Sequence, residues 1–465
     1  MNTIVIKNSY KYLQDNISSL LNDLSDDGSL FVICKNEYKD SVVAHDFLDV
    51  IQLGLKYNLN YINTIIAPIK TTDMDNIQYI VWLVKDRKKY VFDKNPIREK
   101  SIWKDVEWGK RAKNYNPLGK DPGNVWIPTE DDGQANITNH ILLSPDKIYD
   151  RILKTTLFGN DSNYMIVTSD EKDLEYKYGG REGKVLFVKN NSLSDADFIS
   201  KDKIDFGLKN KGDLSYLVEF DSSEKMSAII DKSADLIITS PPYWDLKNYY
   251  KKGQIGYKES YGEYSNRMLK VWKESHRILR DSGSLWININ IRTSNGKALL
   301  LPALFTKQCK ELGFYYRGVA IWHKSSGIPS GPRNFSDHHE YVLIFTKRKD
   351  TKIKDISCFT DYKNDNINGK LIWNINRKAG SVGKNTIHPA IFPTELVNRI
   401  IQCSTMPGDL VVDPFLGSGT SLIAAANNER SFIGYEFYEG FKSLMEDRFS
   451  TDIYKKDISV WYNNR

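Results

Sequence analysis

Short apolar runs that stop at polar or glycine-containing turns alternate with segments of helical spacing along the second half of the chain. Leu236–Ile238 stops at a proline-stiffened turn, and Val411–Asp413 stops at a glycine-rich turn. Between them, Tyr261–Arg280 carries apolar residues at the three- and four-residue intervals of an amphipathic helix. Apolar runs of this length that break at such turns predict strands of a parallel sheet. The pattern therefore predicts an α/β fold.

The same periodicities predict the remaining elements of this half. They indicate strands at Ser284–Asn290, Phe314–His323, Glu340–Thr346 and Ser431–Glu436, and helices at Ala298–Leu312 and Ser421–Asn427. The Gly-, Pro- and Ser-rich stretch Lys324–Asp337 predicts a polar surface loop.

The turn after Leu236–Ile238 reads Ser240-Pro241-Pro242-Tyr243. Ligands of open α/β sheets bind at the carboxyl ends of the strands, so this turn is expected to border a site. Consecutive prolines fix φ and remove two N–H donors, which leaves carbonyls that only accept. Ser240 adds a hydroxyl and Tyr243 a flat ring. These groups suit the exocyclic amine of a base; the simpler interpretation is a rigid loop after a strand.

A second candidate site follows Val411–Asp413. The sequence Phe415-Leu416-Gly417-Ser418-Gly419-Thr420 leads from a strand into a helix, where glycines allow close approach and the N-terminus favours negative charge. The next predicted strand ends at Glu436, and an acid at that position accepts the hydroxyls of a ribose.

The Ser-Pro-Pro-Tyr sequence resembles the catalytic signature of amino-methyltransferases that act on DNA. Gly212-Asp213-Leu214 lies upstream, and His388-Pro389 and Asp413–Thr420 lie downstream, as in that family. The catalytic motif precedes the cofactor motif, which is the permuted order of the family's β group. The resemblance covers residues 205–450 and implies a Rossmann-like fold with a mixed, mostly parallel sheet.

The resemblance also implies the cofactor and the site. The cofactor would be S-adenosyl-L-methionine (SAM), bound by nine residues: Asp413, Phe415, Gly417, Gly419, Thr420, Glu436, His388, Pro389 and Asp213. Catalysis would fall to Ser240, Pro241, Pro242 and Tyr243. Because the adenine-N6 branch usually has Asp or Asn in place of Ser240, the expected product is N4-methylcytosine in double-stranded DNA, with a restriction endonuclease or defence system as partner. The alternatives are an adenine-N6 or RNA amino-methyltransferase, and a non-catalytic nucleic-acid-binding module on this scaffold.

Residues 1–204 repeat the pattern of the second half in faded form. The matched pairs, in the same order, are Leu24–Val32 with Leu279–Ile287, Leu53–Lys70 with Leu312–Lys324, Gln78–Lys85 with Glu340–Lys347, Val125–Ile127 with Ile372–Asn374, and His140–Pro145 with His388–Pro393. Asn116–Trp126 also resembles a segment of the β group. The first half is expected to begin too late for a Ser-Pro-Pro-Tyr turn, and no glycine loop follows Tyr164–Asp170.

These observations predict two domains, consistent with a length of 465 residues. Residues 1–204 would form a degenerate methyltransferase-like domain that acts as an internal pseudo-dimer partner. Residues 205–465 would form the catalytic domain, with a short target-recognition insert at 349–372. Generic periodicity shared by two Rossmann-like halves is the alternative explanation of the repeat.

The formal net charge of +6 is compatible with a phosphate-bearing partner but does not establish one. The expected DNA contacts are Lys324 and Arg333 in the polar loop and Lys110, Arg111 and Lys113 in the first half. Charged runs of this kind are more often solvated surface than contacts.

Four scattered cysteines form no Cys-x-x-Cys pair and no zinc spacing with histidine, which predicts free thiols in a reducing cytoplasm and no metal site. None follows a proline, which disfavours the covalent chemistry of cytosine-C5 methylation. No signal peptide and no apolar run long enough for a membrane span is expected.

Overall fold

The structure is a computed structural model that describes most of the chain. The residues it does not describe are 8–9, 41, 69–76, 99–118, 120, 127–142, 159–160, 189–198, 201–213, 245–250, 295–296, 329–331, 355–370, 377–392, 454–458 and 465.

In the first half, the described residues form three helices and one main sheet. The elements are β1 (Thr3–Lys7), α1 (Tyr10–Asp23), β2 (Ser29–Cys34), β3 (Glu37–Lys39), β4 (Val42–His45), α2 (Phe47–Lys56), β5 (Asn60–Pro68), β6 (Ile77–Val84), α3 (Pro145–Thr156), β7 (Tyr164–Thr168) and β8 (Gly183–Phe187). Six of the strands pair in the order β5-β6-β2-β1-β7-β8.

The second half contains a larger sheet. Its described elements are β9 (Ile199–Ser200), β10 (Tyr216–Phe220), β11 (Ala234–Thr239), α4 (Tyr261–Ile278), β12 (Leu279–Ile289), β13 (Arg292–Ser294), β14 (Lys297–Leu299), α5 (Leu301–Glu311), β15 (Tyr315–Ile328), β16 (Asp337–Thr346), β17 (Ile353–Lys354), β18 (Ile372–Asn374), α6 (Thr394–Ser404), β19 (Leu410–Asp413), α7 (Thr420–Asn427), β20 (Ser431–Tyr435), α8 (Lys442–Asp452) and β21 (Trp461–Asn464). Nine strands pair in the order β18-β15-β16-β12-β11-β19-β20-β10-β21.

The second sheet is mixed and mostly parallel, which confirms the predicted fold class. Strand β11 is buried along its whole length and pairs in parallel with β12 and β19. Continuous burial is typical of central parallel strands, which explains why this segment is apolar without alternation. The antiparallel part of the sheet is formed by β16, which runs antiparallel to both β12 and β15.

Two boundaries differ from the predictions. Helix α5 begins at Leu301 rather than Ala298, because Lys297–Leu299 pairs with Arg292–Ser294 in a short hairpin. Pro302 then lies in the first turn of the helix, where its missing N–H costs no hydrogen bond. The polar loop is shorter than predicted, since β15 extends to Ile328 and β16 begins at Asp337.

The two sheets share the arrangement of six strands. The order β5-β6-β2-β1-β7-β8 matches β15-β16-β12-β11-β19-β20, and every neighbouring pair has the same parallel or antiparallel sense. The registers match as well, with Ser29 opposite Val84 and Ser284 opposite Thr346. Even an irregularity recurs, between Tyr61 and Asn63 in β5 and between Tyr316 and Gly318 in β15.

This correspondence corrects one expectation. Strand β1 lies at the position of β11, so the first half does include the strand that corresponds to the one before the Ser240–Tyr243 turn. Because Thr3 pairs with Ser29 as Leu236 pairs with Ser284, Lys7 stands at the position of Ser240. The expectation that the first half begins too late for this segment is therefore wrong.

The halves contact each other through aromatic and polar side chains. The ring of Phe47 in α2 stacks on Tyr79 of the first half and on Tyr341 of the second, with centroids 4.5 Å and 5.0 Å away. The Tyr316 hydroxyl donates to Asp46 Oδ2 at 2.9 Å, and burial raises the pKa of Asp46 to about 7. These side chains are buried, so ordinary core packing joins the two halves.

Three cysteines in the described part of the chain, Cys34, Cys309 and Cys403, are free thiols, as predicted. Among the described helices, none has the length and hydropathy needed to cross a membrane. No cluster of three or more potential metal ligands occurs within the described ranges.

Candidate active site

The turn Ser240–Tyr243 directly follows β11, at the carboxyl edge of the sheet. The Tyr264 hydroxyl donates to the Pro242 carbonyl at 2.8 Å, and the main-chain N–H of Asn290 donates to the Tyr243 hydroxyl at 2.7 Å. These bonds come from α4 and from the end of β12. The turn is therefore held from two sides, in addition to the stiffness that its prolines provide.

Ser240 stands at one end of a series of polar side chains that contact one another. The Asn288 amide lies 3.5 Å from Ser240 Oγ and donates to Glu340 Oε2 at 2.9 Å. Glu340 in turn forms an ion pair with the buried ammonium of Lys324. Since the ion pair fixes Glu340, it also fixes the amide that faces Ser240.

The glycine-rich turn is organised by Asp413. Its carboxylate accepts from the Phe415 N–H at 2.9 Å and from the Ser421 hydroxyl, and burial raises its pKa to about 6. Gly417 and Gly419 have φ of 56° and 83°, a left-handed conformation that favours glycine. Asp413 therefore shapes the turn from behind it.

Glu436 connects this turn to the end of β20. One carboxylate oxygen accepts from the Gly417 N–H at 2.9 Å, and the other accepts from the Tyr438 N–H at 2.8 Å. Burial raises the pKa of Glu436 to about 7. Each oxygen has a further lone pair, so the carboxylate retains the capacity to accept from a ligand.

One cavity, with an empty volume of about 980 Å³, brings the two predicted sites together. Of the predicted residues, those that line it are Ser240, Pro241, Pro242, Tyr243, Phe415, Gly417, Thr420 and Glu436. Asp413 and Gly419 support the turn without lining the cavity. The proline-containing turn and the glycine-rich turn therefore border one shared space.

Sequence reasoning missed Asp221, which also lines the cavity. It directly follows β10, whose residues Tyr216–Phe220 are largely buried. The sequence contained the pattern that would have identified Asp221, namely an acidic residue directly after an apolar strand. The same pattern identified Glu436. Lys251, another missed lining residue, donates to the Phe437 carbonyl at 2.7 Å.

Several predicted residues lie outside the described part of the chain. They are the cofactor candidates Asp213, His388 and Pro389, and the DNA contacts Lys110, Arg111 and Lys113. Most of the proposed recognition insert, residues 355–370, lies there as well.

The two described candidates for DNA contacts have partners within the protein. Lys324 is 1% exposed, pairs with Glu340, and lies 4.6 Å from the ring centroid of Trp322, so its ammonium is not presented to a phosphate. The Arg333 guanidinium lies 4.3 Å from the centroid of the Tyr90 ring and donates to the Lys88 and Tyr90 carbonyls. Arg333 thus joins the two halves, and a role in DNA binding stays a prediction.

The corresponding region of the first half contains an ion-pair cluster. The Lys7 ammonium lies 2.9 Å from Asp173 and 3.2 Å from Asp170. The hydroxyls of Tyr149 and Thr168 donate to Asp173, each at 2.6 Å. The strand registers place Phe187 at the position of Glu436. No acid therefore ends the strand that corresponds to β20.

Comparison with known proteins adds three findings. Residues 234–447 match the N6/N4 methyltransferase family described as DNA methylase. The Type II methyltransferase M.Cfr9I of Citrobacter freundii is 29% identical over 50% of this chain and 86% of its own length. The Type II methyltransferase M.MthZI of Methanothermobacter thermautotrophicus is 31% identical over 50% of this chain and 76% of its own length.

Among solved structures, the PvuII DNA methyltransferase, described as cytosine-N4-specific, is 22% identical. The match covers 54% of this chain and 92% of that chain, with a TM-score of 0.43.

Proposed function

This chain belongs to the DNA methylase family, and from that premise we propose that it transfers a methyl group from SAM to the N4 amine of cytosine in double-stranded DNA. One observation carries the proposal. The Ser240–Tyr243 turn and the Gly417–Glu436 contact border the same cavity, so a base bound at the first and a cofactor bound at the second would lie side by side. Along the chain the catalytic turn precedes the glycine turn, the order of the β group.

The choice of cytosine rests on Ser240. The adenine-N6 branch usually has Asp or Asn at this position, and this chain has a serine held by Asn288. Adenine-N6 methylation is the alternative. Because Type II enzymes occur in restriction-modification systems, we also propose a restriction endonuclease as the biological partner.

The residues of the cavity suit SAM. Glu436 and Asp221 both line the cavity; on this proposal Glu436 would accept from the ribose hydroxyls and Asp221 would add a second carboxylate near the adenosine part. Phe415 offers an apolar wall to the cavity. The turn also leads into the N-terminus of α7, where the helix dipole favours a negatively charged group such as the carboxylate of SAM. His388, Pro389 and Asp213 stay predicted contacts by resemblance to the family.

The cytosine amine is a poor nucleophile because its lone pair is delocalised into the ring. SAM, when bound, supplies an electrophilic methyl group. Ser240 and the Pro241 carbonyl would accept hydrogen bonds from the amine, which favours a pyramidal nitrogen with its lone pair directed at that methyl. Tyr243 would stack on the base, which has to leave the duplex to enter the cavity. Positioning therefore supplies most of the catalysis, without a covalent enzyme intermediate.

For residues 1–204 we propose a degenerate methyltransferase-like domain that docks as an internal pseudo-dimer partner. Three observations support it: the shared six-strand order, Lys7 at the position of Ser240, and the ion-pair cluster of Lys7 with Asp170 and Asp173. On this proposal the domain binds no SAM, and Lys110, Arg111 and Lys113 contribute contacts to DNA.

The proposed activity is tested by incubating the protein with duplex DNA and SAM labelled in its methyl group. We expect label in the DNA with the wild-type protein. Tyr243→Ala should transfer none, because the base loses its stacking surface, while its affinity for SAM by calorimetric titration stays within about twofold of wild type. Unlabelled DNA with the wild-type protein, or full transfer by Tyr243→Ala, would contradict the proposal.

A further inference from the structure

We propose that the first half of the chain positions the catalytic Tyr243 through a partly buried hydrogen-bond network, Asn124–Asp337–Asn290–Tyr243. The inference rests on the proposed function, and it assigns Asn124, Asp337 and Asn290 as positioning residues. It implies that the first half is needed for turnover as well as for any contact with DNA.

The network begins at Asn124, which is 2% exposed and belongs to the first half. This segment pairs with β5, since the Ile66 N–H donates to the Asn124 carbonyl at 2.8 Å. Asn124 also binds three consecutive residues of the other half. Its N–H donates to the Ser336 carbonyl at 3.0 Å, its side-chain amide donates to Asp337 Oδ1 at 3.4 Å, and its Oδ1 accepts from the His338 N–H at 2.8 Å.

A second residue of the first half supports this contact. The Asn124 amide donates to Asn63 Oδ1 at 3.0 Å, and the Asn63 amide donates to Asn334 Oδ1 at 2.8 Å. The start of β16 is therefore held by side chains of the first half along several residues. These hydrogen bonds restrict both the position and the orientation of the Asp337 carboxylate.

The second link is the contact between Asp337 and Asn290. The Asn290 amide donates to Asp337 Oδ2 at 3.1 Å and to the His339 carbonyl, also at 3.1 Å. Both acceptors belong to the start of β16. Asn290 follows β12, and its position is consequently tied to the segment that Asn124 holds.

The last link reaches the cavity. The main-chain N–H of Asn290 donates to the Tyr243 hydroxyl at 2.7 Å. Tyr243 lines the cavity and is the ring on which the target base would stack. A displacement of about 1 Å at a reacting group lowers a rate by as much as roughly a hundredfold, so small shifts at Asn290 matter for catalysis. The Gly417–Glu436 contact lies in another part of the cavity and should not be affected.

A purely structural role for Asn124 predicts a different result from a positioning role. If Asn124 only joins the halves, its loss lowers stability and any effect on turnover is independent of Tyr243. If it acts through the Tyr243 hydroxyl, its loss has no further effect once that hydroxyl has been removed. A double-mutant cycle separates the two roles.

The test measures kcat, the KM for DNA and the SAM Kd with full-length protein, labelled SAM and duplex DNA. We expect Asn124→Ala to lower kcat about tenfold or more with an unchanged SAM Kd. In the Tyr243→Phe background, the same change should lower kcat no further. Asp337→Asn, which keeps the side-chain shape, should give a smaller loss of the same kind and serves if Asn124→Ala does not fold.

The matched control is Tyr90→Phe, which removes the hydrogen bond to the Arg333 carbonyl between the halves but no member of the network. It should retain wild-type kcat. Wild-type kcat in both Asn124→Ala and Asp337→Asn, or additive losses in the cycle, would overturn the network alone. A wild-type protein that transfers no methyl group to DNA would overturn the proposed function and this inference with it.

Discussion

Glu436 shows how a single carboxylate serves two purposes in the proposed site. It accepts from the Gly417 and Tyr438 N–H groups, which shapes the cavity, and it lines the wall where a ribose would bind. Both purposes depend on its charged oxygens, because hydrogen bonds to charged groups are stronger than those between neutral ones.

We expect Glu436→Ala to weaken SAM binding. Hydrogen bonds to a charged group contribute about 1.5–3 kcal/mol, so the Kd should rise roughly tenfold or more. Calorimetric titration measures it, with Glu439→Ala as a control, since Glu439 is exposed three residues further on. An unchanged Kd in Glu436→Ala would remove this residue from the cofactor site.

Site residues that directly follow buried strands were predictable from the sequence. Residues whose role depends on a hydrogen bond or ion pair with a neighbouring strand were not. Ser240 and Glu436 directly follow apolar runs, and such positions meet at one edge of a parallel sheet. Asp221 follows a run of the same kind, but the motif Gly212-Asp213-Leu214 lies close upstream and draws the prediction to Asp213. The burial of Lys324 depends on Glu340 across the sheet, which no local pattern encodes.

At the scale of elements, the turn into α7 has the most demanding backbone. Gly419 is the N-cap residue of this helix with φ of 83°, and a Cβ there would lie 3.3 Å from Met445 Cγ. A side chain would both strain the backbone and press on α8. Residues of this turn line the cavity, so a change in its conformation would alter the proposed cofactor site.

We expect Gly419→Ala to lower the free energy of unfolding by about 1–2 kcal/mol, because only glycine adopts this conformation readily. It should also weaken SAM binding, as the turn shifts. Gly408→Ala is the matched control: Gly408 has φ of 90° with open space around it, so strain should lower stability without changing the SAM Kd. Denaturant unfolding and calorimetry give both values, and equal SAM affinity in the two variants would contradict the coupling.

Elements with long apolar runs, such as β11 and α4, lie where the sequence predicts them. Predictions failed where pairing between strands decides the structure. The predicted helix Ala298–Leu312 includes residues 298 and 299, yet Lys297–Leu299 pairs with Arg292–Ser294, and α5 starts only at Leu301. Likewise, the polar composition of Lys324–Asp337 predicts a loop, although part of it continues β15.

For the whole molecule, the shared order of six strands is the main structural result. The halves differ where the chemistry would occur. One has a cavity lined by Ser240 and Glu436, and the other has the Lys7–Asp173 ion pair with Phe187 at the position of the acid. The repeat was visible in the sequence because both halves keep the same order of apolar segments. The network through Asn124 was not visible, since it depends on how the two halves pack against each other.

The proposal predicts one SAM molecule per chain. In the first half, Lys7 at the position of Ser240 pairs with Asp173, and Phe187 stands at the position of Glu436, so the polar groups proposed to bind SAM and the base are not repeated there. Calorimetric titration of the full-length protein should give a stoichiometry of one SAM per chain. The double variant Glu436→Ala/Gly419→Ala disables the proposed site in the second half, so its titration should show no SAM binding. A stoichiometry of two SAM molecules per chain would contradict the proposal that the first half is degenerate.

The most direct test of the central claim is the identity of the methylated base. Duplex DNA is incubated with the protein and labelled SAM, digested to nucleosides, and analysed by mass spectrometry. Because Ser240 precedes Pro241-Pro242-Tyr243, we predict that the label appears as N4-methylcytosine. Label found only in N6-methyladenine would contradict the assignment.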